Sequence, residues 1–180
     1  MALNGATVNA ANVIAGTTMT ISDGNVNTGD STGLLQAANI SLTGGQVKGA
    51  TLTVLATQDY AQSGGTIEAT TATVEAGQNI SLTGGKVQAT TANLNANDDV
   101  TIAGGEVQAT TATLTADNIV LTNGTILASE TASLTATNGS ISEGTTFALE
   151  TPVLNVSATG DINLASRYNQ LEQVNIDNAG

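Results

Sequence analysis

Four consecutive stretches fill the chain from Asn39 to Ala116: NISLTGGQVKGATLTVLA, DYAQSGGTIEATTATVEA, NISLTGGKVQATTANLNA and DVTIAGGEVQATTATLTA. Their paired glycines begin at Gly44, Gly64, Gly84 and Gly104, at a spacing of 20 residues. Val54, Val74, Leu94, Leu114, Leu134 and Leu154 hold the same interval through six repeats. A fixed period of this size is the mark of a solenoid. It is too short for a strand, a full helix and a return strand. Inside NISLT, Ile40 and Leu42 alternate with Ser41 and Thr43. A period of two puts the apolar pair on one face of a strand. Gly44-Gly45 then supplies a turn that needs positive φ. Val47 and the small residue at position 49 point inward on a second strand, and Leu52 and Val54 on a third. The columns recur as Ile40, Tyr60, Ile80, Val100, then Val47, Ile67, Val87, Val107, then Gly49, Ala69, Ala89, Ala109. The expected fold is all-β: a right-handed parallel β-helix of about nine turns of roughly 20 residues, with three short strands per turn. At the strand spacing it is a rod roughly 40 Å long.

The whole chain, 1–180, reads as a single solenoid in three parts. Residues 1–38 are degenerate N-terminal turns, 39–116 the regular repeats, and 117–180 drifting C-terminal turns. Val26 matches Val47, and Leu34 matches Val54 with one residue inserted; the insertion widens the corner Asn27 to Gly33. DNIVLTNGTI drops one residue, which LASETASL regains. NGSISEGTTF places Ser140 and Ser142 inward, unless Ile141 shifts into register. Gly160 to Leu164 restores a first strand, Arg167 and Tyr168 break the pattern, and Val174 to Ile176 forms a last strand. No amphipathic helix is evident at either end. An uncapped solenoid exposes an apolar rung and unpaired backbone. The coil then either continues in a longer parent or stacks on another copy. Leu3, Val8, Val174 and Ile176 are the residues expected at such a contact, giving a head-to-tail homopolymer.

Composition narrows the function classes. Three Lys plus Arg stand against fifteen Asp plus Glu, a formal charge of −12. Nucleic acid is not an expected partner, because almost no cation is present to replace phosphate counterions. Nor is an anionic membrane surface. No apolar run is long enough to span a bilayer. The opening MALNGATVNA lacks a basic region followed by an apolar core, so no secretory signal is read there. Cysteine and histidine are absent. The usual nucleophile triads and zinc sites therefore have no ligands. Lys48, Lys86 and Arg167 fall on different turns and the acids are scattered, so no catalytic, cofactor or metal site is expected. Asp98-Asp99 beside Asn97 is the only acidic pair, and it reads as a solvated corner. Asn39-Ile40-Ser41 and Asn79-Ile80-Ser81 match the glycosylation triplet, but they recur because the repeat recurs.

The third strand carries the most regular outward surface. With Val54, Val74, Leu94, Leu114 and Leu134 inward, the pairs beside them face out: Thr51 and Thr53, Thr71 and Thr73, Thr91 and Asn93, Thr111 and Thr113, Thr131 and Ser133. This ladder resembles the threonine arrays of ice-binding β-solenoids, which order water with regularly spaced hydroxyls and methyls. The plainer explanation is that threonine is a good, uncharged strand former copied with its repeat.

The phrases NISLTGG, DVTIAGG, NIVLTNG and GDINLAS, each followed by V-x-A or I-x-A and an A-T-T-A-T strand, resemble the repeats of filamentous haemagglutinin-like exoproteins. The resemblance covers about Asn39 to Leu164. It implies a secreted bacterial protein of the two-partner route, extracellular or on the cell surface, whose rod carries adhesive or toxic ends outward. The expected function is that of a non-enzymatic shaft or self-assembling filament subunit. Its partners would be further copies of itself or a host-cell or matrix receptor. Ice binding through the threonine ladder is the alternative.

Overall fold

A computed structural model describes residues 1–178 as an all-β parallel solenoid of nine coils. Coil 1 consists of Ala2–Asn4, Thr7–Asn9 and Asn12–Ile14, and coil 2 of Thr18–Ser22, Asn25–Asn27 and Thr32–Ala37. Coil 3 holds Asn39–Leu42 and Gln46–Ala56. Coils 4 to 8 are Tyr60–Ala76, Ile80–Ala96, Asp99–Ala116, Asn118–Ala136 and Ile141–Ala158. Coil 9 is Ile162–Asn163 with Gln170–Asn178. Every one of these strands pairs in parallel with the coil before or after it. The three short strands per turn are separate in the first two coils. From coil 4 to coil 8 the pairing runs round the corners, so each coil is one bent strand of 17 to 19 residues.

Alternation decides which side chains enter. Across the first face, Met19, Ile40, Tyr60, Ile80, Val100, Ile119 and Ile141 stack directly above one another. The second face contributes Val8, Val26, Val47, Ile67, Val87, Val107, Ile126 and Leu149. Each such residue from Val26 onward is at most 1 % exposed, so the core is a bundle of continuous columns. At ~4.8 Å between neighbouring strands, eight steps give a core about 38 Å long.

Three register assignments from the sequence need correction, and a fourth that the sequence left open is decided. Leu35, not Leu34, stacks on Val54; Leu34 lies outward opposite Thr53. The corner between Val26 and Leu35 holds two extra residues rather than one, and Thr28 turns inward there, 4 % exposed. Leu154 stacks on Ala132, and Val156 continues the Leu134 column. Ile141 stacks on Ile119 and is fully buried, which leaves Ser142 exposed and Ser140 at the corner. The last two share a cause. The corner Thr137 to Ser140 is two residues longer than the one before it, so columns on both sides of the coil resume 22 residues on rather than 20.

The glycine pair turns as expected in coils 3 to 5, with φ of +78° at Gly45, +69° at Gly65 and +74° at Gly85. A Cβ on Gly85 would also strike the Gln62 side chain and the Gly64 carbonyl.

Candidate functional site

The third face carries the threonine ladder as one in-register array. Thr51, Thr71, Thr91, Thr111 and Thr131 stack in register, and Thr32 adds a sixth member below them. Thr53, Thr73, Asn93, Thr113 and Ser133 form the neighbouring column. Both columns face out because the residues between them, Leu52, Ala72, Ala92, Ala112 and Ala132, are buried. Outward side chains therefore repeat at ~4.8 Å along the rod and about 7 Å across it, the two-residue strand repeat, with a hydroxyl at every place but Asn93. A third outward column, Leu55, Glu75, Asn95, Thr115 and Thr135, borders the array and brings one carboxylate to its edge.

Along the corner between the third and first faces, a polar ladder ties coil to coil. Its members are Asn39, Asp59, Asn79, Asp99, Asn118, Ser140 and Asp161. Each side chain accepts from the backbone N–H of the next member, or receives its amide. Asn39 Oδ1 takes the Asp59 N–H (3.4 Å), and Asp59 Oδ1 takes both the N–H and the Nδ2 of Asn79 (3.2 and 3.0 Å). Asn79 Oδ1 takes the Asp99 N–H (3.3 Å), and Asp99 Oδ1 takes Asn118 Nδ2 (2.9 Å). Asn118 Oδ1 and Ser140 Oγ continue the chain to Asp161. Amide and carboxylate alternate from Asn39 to Asn118, so no two carboxylates meet at the short strand spacing, where like charges repel. The amides of both glycosylation triplets are engaged in this ladder. Of the acidic pair, Asp99 is a rung of it, whereas Asp98 is exposed.

The cations are spread as their positions imply. Lys48 pairs with Glu68 (2.7 Å) and Lys86 with Glu106 (3.1 Å), each reaching one coil forward on the second face. Both pairs are solvated and worth at most about 1 kcal/mol. Arg167 sits 5.0 Å from the Tyr168 ring and donates to its hydroxyl (2.9 Å).

Two polar residues in the core escaped the reading of the sequence. The inward column Leu3, Ile21, Leu42, Leu82, Ile102, Leu121 is interrupted by Gln62 in coil 4 and by Glu143 in coil 8. Gln62 is fully satisfied. It accepts from the Tyr60 hydroxyl (2.9 Å) and donates to the carbonyls of Gly65 (3.3 Å) and Lys86 (3.2 Å). Burial pushes the Tyr60 phenol far above its usual range, which keeps it a donor. Glu143 Oε2 accepts from the Ser166 N–H (3.0 Å) and Asn169 Nδ2 (2.9 Å), while Oε1 is buried without a partner. The segment 164–169, which replaces a second-face strand in coil 9, is thus held to coil 8 by side chains. Ser166 Oγ donates to the Phe147 carbonyl, and Asn169 Oδ1 accepts from the Leu149 N–H (3.0 Å). Gln62 stands where the aligned repeats carry Leu42, Leu82 and Ile102, two residues before the paired glycines, whereas Glu143, directly before Gly144, carries no such mark.

The ends differ from one another. Val174 and Ile176 continue the columns of Leu154 and Val156 and are 43 % and 61 % exposed. At the other end Leu3 is only 6 % exposed and Val8 is half-buried. No family model, curated protein or solved structure matches this chain.

Proposed function

We propose that this chain is a non-enzymatic structural module, a rod segment of a bacterial surface or extracellular fibre that serves as an adhesin shaft. One observation carries the reading: the core columns run in register from coil to coil, and the one from Val13 to Ile176 spans all nine. The side chains around them spend their polar atoms on the next coil, in ladders and cross-coil ion pairs. Such a body transmits length and stiffness. The likeness of the NISLTGG phrases to filamentous haemagglutinin-like repeats supports the surface setting and an adhesive role toward a host-cell or matrix receptor.

In a solenoid each coil interacts with its neighbours alone, so coils are interchangeable. Deleting residues 79–98, one full period, together with Asp99→Asn so that Asp59 still meets an amide, should therefore give a soluble protein with an unchanged β-type circular dichroism spectrum and a rod shorter by ~4.8 Å. Loss of folding would show that coil 5 has a role of its own and would oppose a purely structural reading.

The in-register threonine array supports a second reading, binding of ordered water or ice by the third face. Replacing Thr91 and Thr111 by Lys, both half-buried on that face, should abolish thermal hysteresis while leaving the dichroism intact. Absence of hysteresis in the unaltered protein would end this reading.

A further inference from the structure

All five large hydrophobic residues exposed among the described ones, Met1, Ile14, Tyr168, Val174 and Ile176, lie in the first or last coil. Between the ends the apolar columns are sealed, so whatever binds apolar surface on this rod binds there. We propose that the last coil of one copy receives the first coil of a second copy, parallel and in a single register, with Ile176 beneath Val13 and Asn175 beneath Asn12. This joint rests on the rod reading and names the rod's partner.

The register follows from the columns. Val13 opens the inward column that runs through Leu35, Val54, Val74, Leu94, Leu114, Leu134 and Val156 to Ile176. Placing a second copy one strand spacing beyond coil 9 repeats the operation that relates every coil to the next. Ile176, 61 % exposed in the single rod, then gains the cover that its column-mates have. The outward column beside it opens at Asn12 and closes at Asn155 and Asn175. There Asn175 Nδ2 already donates to Asn155 Oδ1 (2.9 Å), and Asn12 of the next copy extends that amide ladder. Backbone complementarity is equally direct, because among the described residues Asn12–Ile14 and residues 170–177 each pair with a strand on one edge alone.

Charge selects the polarity. Residues 1–17 contain no charged side chain, whereas coil 9 and its lead-in carry Asp161, Glu172 and Asp177 against Arg167. A head-to-tail joint sets this acidic end against a neutral one. A tail-to-tail joint sets two acidic ends together. A head-to-tail contact does not close, so it propagates into an unbranched filament.

The chain has no cysteine, which makes a cross-linking test clean. The substitutions are Asn12→Cys and Asn175→Cys, both at exposed positions. In one copy the two sites are eight steps apart, about 38 Å, beyond a short thiol-to-thiol reagent. The double variant should cross-link into a ladder of multimers, and neither single variant should give dimers. Ile176→Asp in the same background should leave monomeric rods with unchanged dichroism. Dimers from Asn175→Cys alone would establish a tail-to-tail contact and overturn the joint. Monomers throughout, with the rod intact, would overturn it while leaving the rod reading in place. Loss of the β spectrum in the unaltered chain would remove both.

Discussion

Leu94→Asp should break the rod in the middle. Leu94 is fully buried between Val74 and Leu114, in a column whose members are all aliphatic. Truncating such a leucine costs about 2–5 kcal/mol through lost burial and the cavity left behind. A carboxylate placed there adds a desolvation penalty of several kcal/mol, because no cation reaches the column. Together these are comparable to the total stability of a typical domain, about 5–15 kcal/mol. A globule would unfold as a whole. A solenoid is quasi-one-dimensional, so the damage stays within coil 5 and the contacts it makes. The expected result is a melting curve split into two weaker transitions, with protease cleavage appearing near residues 80–96. Asn93→Asp, one residue away but outward, should shift stability by no more than about 0.5 kcal/mol. An unchanged single transition for Leu94→Asp would mean that the third-face column is not the core.

Gln62→Leu should destabilise the rod even though it restores the residue type that coils 3 and 5 carry at this position. The change orphans the buried Tyr60 hydroxyl and removes the donor from the Gly65 and Lys86 carbonyls. Each unsatisfied buried group costs about 1–3 kcal/mol, so a loss of roughly 2–4 kcal/mol is expected. Tyr60→Ile combined with Gln62→Leu makes coil 4 read like Ile80 and Leu82 of coil 5, and most of the loss should return. The cycle should therefore show a coupling of about 0.5–3 kcal/mol. Alkaline titration separates the same variants. Burial raises the folded phenol's pKa, so its contribution is complete below the unfolded value of about 10 and declines as pH rises above it. The original chain should lose stability there by an increment that the double variant lacks. Additive single effects would mean that the pair is not a unit.

Most of the fold was legible because period and alternation coincide. The twenty-residue interval sets the coil, and the two-residue alternation of NISLT sets which face is buried. Where counting failed, it failed at corners. Leu34 and Leu154 were misplaced because corner residues pair loosely and tolerate insertion, so a column may resume one or two residues late. The inward rule then overrides the count, as it does at Ile141. The candidate surfaces were legible in unequal measure. The threonine array could be listed from the repeat alone, apart from Thr32, which lies beyond the widened corner. What lets Gln62 and Glu143 sit in an apolar column was hidden, because a polar residue there is acceptable only with specific partners. Those partners, the Lys86 carbonyl and the Ser166 N–H, lie 24 and 23 residues away. The asymmetry of the ends was likewise invisible, since Leu3 and Ile176 are both inward aliphatic residues and differ only in cover.

Negative-stain electron microscopy of the purified chain over a wide concentration range tests the central claim most directly. A rod with open, matching ends should give thin, unbranched filaments one solenoid wide that lengthen as concentration rises. Isolated particles about 40 Å long at every concentration would contradict joining through the terminal coils.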